Sequence, residues 1–174
     1  MNGSLLIFFN DNGDTVMNNA FNLNKAIENQ LGYGNTLDPR SAKLFDKVLK
    51  SPTPNVINKL LRNQPKPILV LDNLTNAQSV SNRHYRGART VPVANIHGTI
   101  DRDGDFSYNF APLKRNSEHR WCRVATAMLN GIALPPVDLV QVGDDYFVKD
   151  GHHRVSVARA LGFNYIDAIV VIWE

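Results

Sequence analysis

The chain has 174 residues, 43% hydrophobic and 20% charged, with one cysteine and a formal charge of +3. That length can bury a sizeable core, and the apolar fraction excludes a disordered chain. No apolar run approaches the roughly 20 residues of a membrane span. The apolar residues 4–9 lack a basic n-region, so no signal peptide and no membrane partner are expected. The single thiol, Cys122, excludes an internal disulfide framework and a thiolate-built zinc site; a cytoplasmic, reducing setting is the simple reading.

Charge is spread evenly: residues 1–82 carry eight Lys/Arg against six Asp/Glu, and residues 83–174 carry eleven against ten. The kind of base changes, however, from six lysines in the first part to nine arginines in the second. Arginine suits fixed, bidentate contact with phosphate or carboxylate, which hints at specific anion contacts in the second part.

In chain order, residues 4–9 predict a short strand ending in an Asn-Asp-Asn-Gly turn. Val16, Ala20, Leu23, Ile27 and Leu31 repeat at helical spacing over 16–31, and Gly32 follows. Asp38 and Pro39 then supply an N-cap and a first-turn proline for a helix with Leu44, Phe45, Val48 and Leu49 on one face. Residues 55–62 predict one or two further helical turns, and 68–71 a short buried strand. Residues 1–82 therefore look like a mostly helical extension, with fifteen asparagines and no chemical constellation.

Residues 83–90, Arg-His-Tyr-Arg-Gly-Ala-Arg-Thr, form a basic and irregular stretch. Its Arg83, Arg86 and Arg89 are candidates for DNA-backbone contact, or they solvate a linker. Residues 91–96 predict a strand. Asp101, Asp103 and Asp105 make a solvated turn, since the calcium-loop pattern would place Pro112 where a bidentate glutamate belongs. Residues 117–130 predict a helix capped by Ser117, stopped by Gly131 and carrying Trp121, Val124, Ala125, Met128 and Leu129 inside. Arg120 and Arg123 share a helix face, with Glu118 as partner for one of them. Residues 137–142 and 146–149 around Gly143-Asp144-Asp145 predict a hairpin, 155–161 a helix closed by Gly162, and 165–173 an apolar strand. Trp121 and Trp173 are core candidates. Ser156 reads as a helix residue, because no Gly-x-Ser-x-Gly context surrounds it. The order is that of an α+β unit.

The chemistry concentrates in Asp150-Gly-His-His-Arg154. A strand delivers the chain to Gly151, and a helix starts beside it, so its N–H groups and positive dipole end face the turn. That arrangement is an anion site, and phosphate is its common occupant. Arg154 offers a fork for two phosphate oxygens, while His152 and His153 offer donors or proton carriers. Asp150 either holds Mg²⁺ or caps the strand end. The histidine pair has no third ligand at suitable spacing for a transition metal. Neither GxxxxGK[ST] nor GxGxxG occurs.

Residues 85–174 resemble the ParB/sulfiredoxin superfamily, in particular the ParB N-terminal domain group often labelled ParB-like nucleases. The matching pieces are Thr90-Val-Pro-Val-Ala-Asn-Ile96, the helix from Arg120 to Gly131, Leu134-Pro-Pro-Val-Asp-Leu139 and Val148-Lys-Asp-Gly-His-His-Arg-Val-Ser-Val-Ala-Arg159. The resemblance implies a small mixed sheet with helices in a nucleotide-binding domain at 83–174. Relatives hold CTP, ATP or ADP at this turn, which would make Gly151, His152, His153 and Arg154 the phosphate contacts, with Gly131 in the facing loop and Mg²⁺ at Asp150. His152, His153 and Arg154 would be the catalytic candidates for hydrolysis or transfer of a terminal phosphate. His152 stands where sulfiredoxins carry their cysteine, so sulfinic acid reduction is not expected. The Asp-Gly-His-x-Arg form of the turn resembles the free-serine kinase branch more closely than the sulfiredoxin or partition forms, although that branch's catalytic glutamate has no clear counterpart. With twelve residues after Gly162, a partition clamp acting alone, with its DNA-binding and dimerisation domains, is not expected. The leading expectation is a nucleotide-binding protein, as an enzyme an NTPase or phosphotransferase rather than a nuclease, and a homodimer is compatible with it. The alternatives are a DNA-binding or DNA-processing module of a phage, plasmid or defence system, and a non-catalytic interaction protein using residues 1–82 as its surface.

Overall fold

A computed structural model describes residues 37–50, 68–71, 82–100 and 104–174, all within the compact unit Thr36–Glu174. The elements expected at 4–9, 16–31 and 55–62, and residues 101–103, lie outside the described residues. In chain order the described elements are α1 (Pro39–Lys50), β1 (Leu69–Val70), β2 (Arg83–Pro92), a 3-10 turn (Val93–Asn95), β3 (Ile96–Thr99), a second 3-10 turn (Arg115–Ser117), α2 (Glu118–Leu129), β4 (Val137–Val142), β5 (Asp145–Asp150), α3 (His152–Ala160) and β6 (Tyr165–Trp173). The fold is α+β, built on a six-stranded mixed sheet in the order β1-β3-β5-β4-β6-β2.

Helix α1 begins as its sequence predicts. Asp38 Oδ1 accepts the Arg40 N–H at 2.8 Å, and Pro39 takes the first helical position, where a missing N–H costs nothing. The β4–β5 hairpin is also where its turn residues put it, with Gly143 at φ 59° in a two-residue connection. Strand β4 pairs in parallel with β6, and β3 in parallel with β5, so the hairpin forms the middle of the sheet.

The basic stretch at 83–90 is not irregular. It forms most of β2, paired antiparallel with β6 from Arg83↔Trp173 to Pro92↔Tyr165. The ladder to β6 overrides the weak strand signal of these charged residues. The expected strand at 91–96 is instead split by the 3-10 turn at 93–95, which hands the chain from β2 to β3. Ser117 stands at the N-cap of α2 but makes no side-chain cap hydrogen bond, because the second 3-10 turn leads into the helix.

Alternate residues of β5 feed different apolar clusters, as a period of two requires. Val148 joins Val91, Ile96, Val137, Leu139, Val155, Ala168 and Val170 in the larger one. Phe147 joins Leu71 and Val140 in the smaller, against which Trp173 packs only partly buried. Phe106 and Phe110, from a segment with no regular structure, are 1% and 0% exposed in the larger cluster. Helix α1 packs against α2 through Phe45 and Trp121, both fully buried, with ring centroids 5.4 Å apart and planes at 64°.

Candidate anion site at the Gly151 turn

Strand β5 ends at Asp150 and α3 starts at His152, so a single residue makes the turn. Gly151 has φ 96° and ψ 23°, a region that L-residues with a Cβ avoid. Space forbids a side chain as well: a Cβ here would lie 2.6 Å from Val137 Cγ1 and 2.9 Å from Arg154 Nη2. The first helical bond runs from Val155 N to Gly151 O at 3.0 Å, and Gly151, at the N-cap, has no side chain with which to cap the helix. The positive end of the α3 dipole thus lies at residues 151–154.

Arg154 does not point a fork away from the protein. It is 2% exposed; Nη1 donates to Pro135 O at 2.5 Å and Pro136 O at 2.7 Å, and Nη2 donates to Asp150 Oδ2 at 2.7 Å. Nε is buried with no partner. Burial pushes the guanidinium pKa down, and the carboxylates of Asp150 and Asp138 oppose it. In this structure Arg154 is a clamp that ties the start of α3 to the chain entering β4. The contacts to the two proline carbonyls carry no sequence signature, so the sequence could not reveal them.

Asp150 keeps its other carboxylate oxygen, Oδ1, as an acceptor, and its side chain is 42% exposed. It faces Asp138 across the β4–β5 ladder. One carboxylate oxygen fits a Mg²⁺ that arrives on phosphates, since Mg²⁺ commonly takes one or two carboxylates and completes its shell with phosphate and water. Among the described residues, no group of three or more His, Cys, Asp or Glu side chains is placed to hold a metal by itself.

The two histidines face a different neighbour. His152 is 4% exposed, its ring stacked on Phe106 at 6.0 Å and 19°. The Thr99 hydroxyl donates to Val148 O at 3.2 Å and lies 2.7 Å from His152 Nε2. His153, half-buried, meets Phe106 edge-on at 5.3 Å. Thr99 and Phe106 escaped the sequence reading because each reaches the turn only through the pairing of β3 with β5 or a loop crossing back.

Gly131, with φ 68°, lies just past α2. It shares with Arg154 the wall of a cavity of about 310 Å³, together with Thr90, Leu134, Pro135 and Asp167. The residues named from sequence therefore divide into two groups. Gly131 and Arg154 line this cavity; His152 and His153 gather around Phe106.

The three arginines of β2 do not form one stripe. A bulge between Tyr85 and Gly87 leaves Arg86 out of the register and flips the side-chain alternation. Arg83 pairs with Trp173 and lies over its ring at 4.7 Å, beside the smaller apolar cluster. Arg89 pairs with Ala168, a member of the larger cluster, and so falls on the opposite face. Glu118 binds neither Arg120 nor Arg123 through a salt bridge. Its partner is Arg115, at 2.9 Å, which also holds Asp46 of α1 at 2.6 Å. Sequence spacing within α2 could not show this, because Arg115 precedes the helix.

Comparison of the chain with protein-family models, curated proteins and solved structures returned no match.

Proposed function

We propose that the chain is a nucleotide-binding protein of ParB/sulfiredoxin-like fold that receives the phosphates of a nucleoside di- or triphosphate at the N-terminus of α3. The observation that carries this reading is a helix that starts directly behind a glycine at φ 96°, an N-cap residue with no capping side chain of its own, a geometry that favours phosphate. Two further observations support it. The segments that carry the resemblance occur as β2–β3, α2, β4 and β5–turn–α3, in that order. Gly131 also shares a cavity with Arg154.

In this reading the α3 N–H groups and His153 meet the phosphates, and Asp150 Oδ1 holds Mg²⁺, which neutralises phosphate charge when bound. Arg154 is a positioning residue, because its hydrogen bonds fix the turn. His152, held by Thr99 and Phe106, orients the first turn of the helix.

Calorimetry with CTP, ATP and ADP, each with and without Mg²⁺, tests it. At least one nucleotide binds, and His153→Ala weakens that binding by about tenfold, the size of one charge-assisted hydrogen bond, while leaving the far-UV spectrum intact. Absence of binding by all three, or binding that His153→Ala and Asp150→Asn both leave unchanged, overturns the proposal.

A further inference from the structure

The opposite end of α3 carries a second candidate site, independent of the Gly151 turn. A cavity of about 530 Å³ lies between α1, the 3-10 turn at 93–95, the loop at 109–111 and the C-terminal half of α3. Its described lining is mostly apolar, including Val48, Ala94 and Phe110, and it contains two cations, Lys47 and Arg159, but no carboxylate.

Arg159 is the informative residue. Nη2 donates to Val93 O at 3.1 Å and Ile96 O at 2.5 Å, and Nε is buried with no partner. Among the described residues, Nη1 has no hydrogen-bond partner and no carboxylate pairs with the guanidinium. Burial pushes its pKa down, with no charged group opposing. A partly desolvated cation without a counter-charge is costly to keep in a folded chain, so it points to an anion supplied from elsewhere.

Two neighbours shape the site around it. Phe110 is the one non-glycine residue at positive φ among the described residues, at 59°, a conformation that residues with a Cβ rarely adopt. That backbone holds its ring 5.2 Å from the Arg159 guanidinium carbon. Ser156, one turn before Arg159 on the same helix face, accepts the Trp121 indole N–H at 2.8 Å. An indole nitrogen only donates, so the serine's own proton remains for another acceptor.

We propose that this cavity binds a small amphipathic anion, with an aromatic or branched-aliphatic body against Phe110 and Val48 and a carboxylate at Arg159 and Ser156. Two donors on one helix face match the two oxygens of a carboxylate. A phosphate would leave its third oxygen against apolar wall, which is unfavourable. Lys47, at the rim, attracts the anion from solvent.

The test uses the full-length chain and two probes of one shape, 4-phenylbutyrate and its neutral amide, followed by calorimetry and by amide resonances in NMR. The acid binds at least about tenfold tighter than the amide, the worth of one charge-assisted hydrogen bond, and shifts the resonances of Phe110, Ala111 and Ala160. Arg159→Gln removes that preference and leaves amide binding unchanged. Lys47→Gln, on an exposed side chain, lowers acid affinity about two- to threefold in a salt-dependent way and serves if Arg159→Gln does not fold. Equal binding of acid and amide, no binding of either, or shifts confined to residues 151–154 would overturn the proposal. Loss of nucleotide binding would leave it standing, since the two sites share no residue.

Discussion

At the residue scale, two positions decide whether the Gly151 turn exists. Replacing Gly151 with alanine forces a Cβ into positive φ, costing about 1–2 kcal/mol, and into Val137 and Arg154, adding about 1–3 kcal/mol of overpacking. Gly151→Ala should therefore lose about 2–5 kcal/mol in urea unfolding, whereas Gly131→Ala, where a Cβ meets nothing within 4 Å, should lose only the conformational part. Equal losses at the two glycines would show that crowding contributes nothing. Arg154 makes the same argument from the polar side. Arg154→Met keeps the length of the side chain but leaves Pro135 O, Pro136 O and Asp150 without their donor. Each acceptor left unsatisfied costs about 1–3 kcal/mol; since all three are only part-buried, a loss near the lower end of that sum, about 3–5 kcal/mol, is expected. Asp150→Asn keeps an oxygen acceptor at a partly exposed pair and should cost about 1 kcal/mol or less. A comparable loss for both variants would mean that the proline carbonyls do not anchor Arg154.

At the element scale, the packing of α1 on α2 explains why α1 belongs with the sheet domain. Phe45 is 0% exposed against Trp121, Asp38 N donates to Thr126 Oγ1 at 3.1 Å, and Arg115 bridges Asp46 and Glu118. Phe45→Ala should cost about 3–5 kcal/mol as a large cavity in a core and red-shift the Trp121 emission as water reaches the ring. A loss under about 1 kcal/mol would mean that α1 rests on the surface. The cap and apolar spacing of α1 were legible in the sequence because they are local. So were the β4–β5 hairpin, which its turn residues announce, and α3, which Gly151 and Gly162 bracket. What escaped depends on partners distant in sequence. Strand β2 exists through its ladder to β6, 73–90 residues away, and its bulge, which separates Arg83 from Arg89, leaves no pattern in residues 83–90. The glycine and helix of the candidate site were legible for the same local reason. The inward turn of Arg154 was not, since its acceptors are backbone carbonyls that any residue provides.

At the scale of the whole molecule, Cys122 reports whether α1 and the sheet open together. It is the sole thiol, 1% exposed on α2. Burial pushes its pKa up, while a hydrogen bond with Ser41 of α1 works against that shift. Ser41 is itself fully buried, so a thiol reagent must wait for α1 to lift or for the domain to unfold. If the unit from Thr36 to Glu174 is one cooperative body, labelling in the fast-closing limit gives the same opening free energy as denaturant unfolding. Phe45→Ala should then lower both by the same amount. If α1 opens by itself, labelling outruns global unfolding, and Phe45→Ala accelerates it while the denaturation midpoint of the sheet stays put. We expect the first outcome. The aromatic pair, the Asp38–Thr126 bond and the Arg115 bridge are spread along α1, and all three would have to break at once to free it. That cooperativity also bears on the cavity at the far end of α3, since Val48 and Lys47 of α1 form part of its wall. A helix that lifted alone would dismantle that wall, so 4-phenylbutyrate bound there should slow Cys122 labelling in proportion to its occupancy.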